Sequence, residues 1–302
     1  MILQKIIESI IEKNVRHAKT LSKQMKSWDA DYRDKAEHFL SSYFKFLESR
    51  GIDFDFAVDS YLFLVEEIVA HQIEFVRTGA YKYKTFQEVN RNVYADSSYM
   101  KRYMLGLAIS QFFWENHHKI FKFFQASLLK NRRGGSYLEI GPGHGVFLQE
   151  ALKNTEYQNY TALDVSSESL NLTREIIQYA QPDLYGKICF LQGDIGTQEI
   201  SRSYDFITMG EVLEHLESPE PVLRKINKIL TDKGCLFIST CANGPAVDHL
   251  YLFNNIDEIR EMVARCGFLI ESEAALPINN FSIEKALEKK FTINYCALLK
   301  KK

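Results

Sequence analysis

The stretch Tyr137-Leu138-Glu139-Ile140-Gly141-Pro142-Gly143-His144-Gly145 carries a short apolar segment into a loop with glycine at alternate positions. A helical segment follows, and then Tyr160-Thr161-Ala162-Leu163-Asp164, a second apolar run that ends on an acid. The pattern predicts one βαβ unit with a nucleotide-type site at its strand ends. Alternate glycines let the backbone turn tightly and approach a ligand with no Cβ in the way. The helix behind such a loop aims unpaired N–H groups and the positive end of its dipole at the same place. Asp164, at the tip of the second strand, has acceptors for both hydroxyls of a ribose.

Dinucleotide sites want G-x-G-x-x-G, whereas this loop spaces its glycines evenly and carries Glu139 two residues before the first. E-x-G-x-G-x-G followed by an acid ending strand two resembles the class I S-adenosylmethionine-dependent methyltransferases. The resemblance covers roughly residues 135–300 and implies S-adenosylmethionine as cofactor. It implies that Glu139, Gly141, Gly143, Gly145, Asp164 and Val165 shape or touch the cofactor's site. Gly193-Asp194-Ile195 stands where the family places an acid that accepts from the adenine amino group and an apolar residue on the ring. Met209-Gly210-Glu211-Val212-Leu213-Glu214-His215 stands where the family has the wall between cofactor and substrate, with Gly210 and Glu211 on the cofactor's side. Leu230 to Gly234 is similar to the family's turn before strand five, and Cys266-Gly267-Phe268 to its entry into strand six.

Length and composition frame this reading. The chain has 302 residues, long enough for two units, and 46% hydrophobic with 25% charged residues is ordinary for a globular protein. A formal net charge of −2 argues against a nucleic-acid footprint. Residues 1–130 hold 19 Lys and Arg against 16 Asp and Glu, so the average conceals no strongly basic half. The five cysteines form no C-x-x-C pair, which suits buried free thiols in a reducing compartment. Lys5, Glu8 and Glu12 interrupt the apolar residues at the N-terminus, unlike a signal peptide, and no uncharged run approaches membrane-spanning length. The expectation is a cytoplasmic protein with neither a membrane nor a nucleic-acid partner.

The composition changes near residue 134. All six prolines lie at or after Pro142, and three of the fifteen glycines precede Gly134-Gly135. A stretch without proline and nearly without glycine predicts a helical domain over 1–133, with Gly134-Gly135 as a hinge. Ile2, Ile6, Ile7, Ile10 and Ile11 fall on one helical face. Further helices are predicted over about 30–49, from Asp55 to Arg77 with a stop at Gly79, and from the capping box Thr85-Phe86-Gln87-Glu88 toward Tyr94. Ser97 or Ser98 caps another, from Tyr99 to about Lys130, broken near Asn116-His117-His118. This half resembles no specific family. Its aromatic residues, Tyr99 and Tyr103 among them, read either as core or as the lining of a substrate cavity closed over the strand ends.

From 134 to 302 strands and helices alternate. Strands are predicted at Ser136–Ile140, Tyr160–Leu163, Lys187–Leu191, Tyr204–Met209 and Cys235–Thr240, with helices near 146–153, 167–180, 219–230 and 256–266. Phe268–Ala274 and Phe291–Leu299 read as a closing antiparallel pair. Repeated βα units predict an α/β fold, a parallel sheet covered on both faces. The resemblance implies the Rossmann-like seven-stranded order 3-2-1-4-5-7-6.

Methyl transfer from a sulfonium is an in-line displacement that rests on positioning and exclusion of water. A carboxylate or phenolate acceptor needs little activation, whereas an alcohol or carbon needs a base or a metal. Candidates stand after strands four and five: Glu211, Glu214 and His215, then Asn243 to Tyr251 with His249. On a helical turn, Glu211, Glu214 and His215 share a face at i, i+3 and i+4, and His249 arrives from the neighbouring loop. Four such donors suit a divalent metal used as a Lewis acid. The metal-free reading makes His215 or His249 a general base. Asn243, Tyr251, Tyr99 and Tyr103 are candidates for the substrate. The functional expectation is S-adenosylmethionine-dependent methylation of a small molecule held between helical lid and sheet. A nucleic-acid or protein methyltransferase and a non-catalytic cofactor-binding regulator are the alternatives.

Overall fold

The computed structural model describes residues 1–302 apart from the side chain of Arg133. Seven helices come first: α1 (Ile2–Lys13), α2 (Val15–Gln24), α3 (Ala30–Ser49), α4 (Phe54–Thr78), α5 (Phe86–Val89), α6 (Ser97–Phe113) and α7 (Glu115–Lys130). Their ends are written in local chemistry. Asp29 and Asp53 accept from the backbone N–H of Tyr32 and Phe56, and Gly79 ends α4 at φ +71°. The capping box of Thr85 and Glu88 forms as expected, and a π-turn over Asn90–Tyr94 continues α5.

Three local expectations are corrected. Asp96, rather than a serine, caps α6, because its carboxylate reaches the Tyr99 N–H at 2.9 Å. The break before α7 falls at Trp114, whose backbone is extended, and the histidines after it are helical. On α1, Ile6, Ile7 and Ile10 are buried while Ile11 faces solvent.

The sheet has the order β3-β2-β1-β4-β5-β7-β6. Its strands are β1 (Arg133–Ile140), β2 (Glu156–Asp164), β3 (Ile188–Gln192), β4 (Tyr204–Gly210), β5 (Leu230–Ala242), β6 (Phe268–Pro277) and β7 (Ile293–Lys301). All pairs are parallel except those of β7, which runs antiparallel to β5 and β6. Ile140 lies opposite Leu163 and Met209, so the first, second and fourth strands end level with one another. Between the strands run α8 (Val146–Asn154), α9 (Ser167–Ala180), α10 (Pro182–Tyr185), α11 (Pro219–Ile229), α12 (Ile256–Arg265) and α13 (Ile283–Glu288).

Alternation along each strand builds two cores. Leu138, Ile207 and Ile238 face α11 and α12, while Tyr137, Phe206 and Phe237 face the other way. That second core is completed by α7, where fully buried Phe124 lies 4.6 Å from the Phe147 ring and 5.1 Å from that of Phe237. The composition change at 134 therefore marks where strands begin, and the packing unit of the sheet reaches back through α7.

Gly134 and Gly135 form the start of β1 rather than a hinge. The Asp205 carboxylate accepts from the N–H of Gly135 at 2.6 Å and of Ser136 at 3.0 Å. A Cβ on Gly134 would come within 2.9 Å of Asp205 and Tyr157, so glycine serves close approach here. Leu230–Gly234, expected as a turn, falls at the start of β5, where the register with β4 shifts. Leu230 lies opposite Tyr204 and Cys235 opposite Phe206, so the residues between bulge out of the ladder. No helix among the described residues is long and apolar enough to cross a membrane.

Candidate active site

The carboxyl ends of β1, β2, β4 and β5 open into one cavity of about 2260 Å³, roofed by helices of the N-terminal half. At the end of β1, Gly141, Gly143 and Gly145 all have positive φ, which explains the alternate glycines. A Cβ on Gly141 would strike Val212 at 2.7 Å, and Gly145 starts α8. Gly143 differs: an added Cβ would meet only Met104 Cε, at 4.0 Å, so this residue borders open space. His144 lines the cavity, accepts from the Val146 N–H at 3.4 Å, and is pushed down to about 4 by burial.

Asp164 ends β2 at the cavity wall. Its Oδ1 accepts from the Ser166 N–H at 2.9 Å and its Oδ2 from the Ser169 hydroxyl at 2.8 Å, which fixes the carboxylate's rotamer. Burial raises its pKa, opposed by those two bonds. Val165, Asp194, Ile195, Gly210 and Glu211 line the same cavity. Glu139 does not. It is buried on the other face of β1, where its Oε2 accepts from the Tyr137 hydroxyl at 2.9 Å, and burial pushes its carboxyl up to about 8.

The second group of side chains lies after β4 and β5. Only Leu213–His215 form a helical turn, and Glu211 precedes it in the left-handed region at φ +52°. The expected shared face of Glu211, Glu214 and His215 is thus not what assembles them. Instead, Glu214, His215 and His249 bring one ligand atom each within 4.8 Å of one another. Glu214 is fully buried, and Thr240 donates to its Oε2 at 2.7 Å. Burial and the neighbouring Glu211 hold its pKa well above the usual carboxylate range. The loop after β5 is pinned to the same residue, since the N–H groups of Leu250 and Tyr251 donate to the Glu214 carbonyl at 2.8 and 2.9 Å.

His249 Nδ1 lies 2.6 Å from the Gly244 carbonyl, and burial pushes its imidazole down to about 3. His215 Nδ1 lies 3.2 Å from the Asp248 carbonyl and 3.5 Å from its carboxylate. A ring nitrogen beside a carbonyl must donate, which leaves Nε2 as the lone-pair nitrogen of each histidine. The two rings stand perpendicular with centroids 4.8 Å apart.

Of the residues proposed for a substrate, Tyr103 lines the cavity and Tyr99, Asn243 and Tyr251 do not. Tyr99 donates to Glu67 at 2.7 Å, Asn243 donates to the Asn254 carbonyl at 3.0 Å, and Tyr251 packs on Phe253. Sequence reasoning passed over Asp248, which is buried at the cavity wall and accepts from Tyr94 and Tyr103. Its place beside His249 in the loop after β5 was the available signal.

Residues 113–273 match a family model described as a methyltransferase domain. The chain belongs to this methyltransferase family. Its sheet order and glycine loop are those of the class I methyltransferases, whose cofactor is S-adenosylmethionine. The methyltransferase is 27% identical over 113 residues to the mitochondrial ubiquinone biosynthesis O-methyltransferase of Saccharomyces cerevisiae, covering 37% of this chain and 35% of that one. It is 33% identical over 107 residues to the malonyl-[acyl-carrier protein] O-methyltransferase of Priestia megaterium, covering 35% and 37%. The matches thus span little more than a third of the curated relatives' length. Among solved structures, the mitomycin 7-O-methyltransferase MmcR superposes with a TM-score of 0.54 at 13% identity, covering 82% of this methyltransferase and 70% of that chain.

Proposed function

We propose that this methyltransferase transfers a methyl group from S-adenosylmethionine to a small-molecule acceptor enclosed between the N-terminal helices and the strand ends. One observation carries the reading: Gly143, Asp164 and His215 open onto a single cavity, which joins a cofactor cradle to a polar end. The cradle fits the cofactor. Open space beside Gly143 accommodates a group that a Cβ would displace, and Asp164 retains lone pairs beyond its two internal bonds. The N–H groups at the start of α8, which has no side-chain cap, favour negative charge there. When bound, S-adenosylmethionine supplies an electrophilic methyl on a positively charged sulfur.

The chain's own part is positioning, exclusion of water and handling of a proton. Met104, Tyr103, Trp114 and Phe147 line the apolar part of the cavity and exclude water from the line of transfer. Asp248 orients His215, so an acceptor hydroxyl or amine loses its proton at the His215, His249 and Glu214 end. The chain carries no net basic charge, which favours a small acceptor over a nucleic acid.

The test is incubation of the full chain with S-adenosylmethionine and a metabolite extract, read by mass spectrometry. A new product heavier by one methylene unit, formed together with S-adenosylhomocysteine, is the expected result. Absence of cofactor binding by calorimetry would overturn the reading.

A further inference from the structure

The three-residue group at the polar end asks for more than a hydrogen-bond account. Glu214 is fully buried, yet its Oε1 has no hydrogen-bond donor among the described residues, and the same holds for Glu211 Oε1. A buried carboxylate oxygen without a donor costs about 1–3 kcal/mol or more unless something positive faces it. Among the described residues no lysine or arginine is paired with it: their ion pairs, such as Arg50–Glu175, Arg224–Glu220 and Arg260–Glu273, lie elsewhere. What faces Glu214 is the Glu211 carboxyl, a like-charged neighbour, together with a pair of imidazoles whose Nδ1 atoms are both committed. His249 donates to the Gly244 carbonyl, and His215 to Asp248.

Metal-binding histidines show this arrangement, with one ring nitrogen held by a carbonyl or carboxylate and the other turned to the ion. Resting on the methyltransferase reading above, we propose that Glu214, His215 and His249 bind one divalent ion of the Zn²⁺ or Mn²⁺ class at the wall of the acceptor chamber. Two imidazoles and one carboxylate are the donor set such ions take, with positions left for substrate or water. Ligand atoms about 2.0–2.2 Å from an ion lie roughly 3–4 Å apart, so the trio closes by about 1 Å on binding. Hydrogen bonds from Leu250 and Tyr251 to the Glu214 backbone hold the two loops close enough for that movement.

The site sits beside Gly210 and Glu211, where the cofactor's cradle ends. An acceptor oxygen on the ion loses its proton to water more easily. It then attacks as an oxyanion: the O–CH₃ bond forms, the S–CH₃ bond breaks, and the sulfur keeps the electron pair as a neutral thioether. The acceptor class this implies is a hydroxyl or enol that can reach the ion, and not a quaternising amine.

The experiment is Mn²⁺ binding to the full chain by electron paramagnetic resonance, with Zn²⁺ competition, and S-adenosylmethionine binding by calorimetry on the same samples. One Mn²⁺ per chain is expected, displaced by Zn²⁺. Both His249→Ala and Glu214→Gln should weaken it about 100-fold, with cofactor affinity changed less than threefold. Should Glu214→Gln fail to fold, His249→Ala and the unaltered chain still decide. A folded wild-type chain that binds S-adenosylmethionine but neither ion overturns this site and leaves the methyltransferase reading in place. Ion binding that His249→Ala does not alter overturns the site as well. Ion binding without cofactor binding supports the site and overturns the functional reading.

Discussion

The hydroxyl of Tyr94 donates to Oδ2 of Asp248 at 3.1 Å, across 154 positions of chain. Tyr103, from α6, reaches the other oxygen of the same carboxylate at 3.4 Å. Two helical residues therefore hold the acid whose carboxylate lies 3.5 Å from His215, and both line the candidate site's cavity. Asp248→Asn should keep the fold and cofactor affinity while lowering kcat about 10- to 100-fold. Steady-state kinetics beside cofactor calorimetry separates the two effects, and an unchanged kcat would remove Asp248 from the site's workings.

Asp164→Ala should weaken S-adenosylmethionine by about 1–3 kcal/mol, roughly 5- to 150-fold, because ribose hydroxyls lose their acceptor. The Ser166 and Ser169 donors lose theirs too, so a thermal melt must accompany the titration. Unaltered affinity in a folded variant would place the cofactor elsewhere.

Two neighbouring glycines should respond differently to alanine. Gly141→Ala combines a left-handed φ with a 2.7 Å approach to Val212, and should destabilise the fold by more than the ~1–2 kcal/mol of backbone strain alone. Gly143→Ala carries only the strain, but its Cβ enters the space assigned to the cofactor. Its stability should fall less and its cofactor affinity more, by about tenfold or beyond. Chemical denaturation and calorimetry on both variants check the ordering.

Glu139 makes stability depend on pH. Its folded pKa is pushed up to about 8 by burial, against about 4.3 in an unfolded chain. Between those values the folded state keeps a proton that the unfolded state has lost. Stability from this group therefore falls as pH rises from about 4.3 to 8, by an amount on the order of a few kcal/mol. Glu139→Gln should flatten that slope and be more stable than wild type at pH 8. Urea midpoints measured from pH 5 to 9 would show parallel curves if the idea is wrong.

Truncation tests how far the sheet unit extends. A chain beginning at Gly134 lacks α7 and uncovers Phe147, Phe206 and Phe237, which Phe124 covers. It should aggregate and lose activity, whereas a chain beginning near Trp114 should be the more soluble of the two. A monomeric, active protein starting at Gly134 would show that α7 is dispensable.

The sequence by itself determined the alternation of strands and helices, the glycine loop and the acid at the end of β2. Those features are local: a residue's tolerance for positive φ, or its alternation between faces, is written within a few neighbours. It could not show that Glu139, two residues from the loop, turns away from the cavity into a bond with Tyr137. Nor could it separate Tyr103, which faces the cavity, from Tyr99, one turn earlier, which turns to Glu67. The helical spacing of Glu211, Glu214 and His215 suggested a group that the left-handed backbone at Glu211 breaks. Only the tertiary structure brought Tyr94, Asp248, His215 and His249 together, because that meeting depends on how helices pack across strand ends. Side-chain direction at such a junction is decided by the partner surface, and a partner over a hundred residues away leaves no local pattern to read.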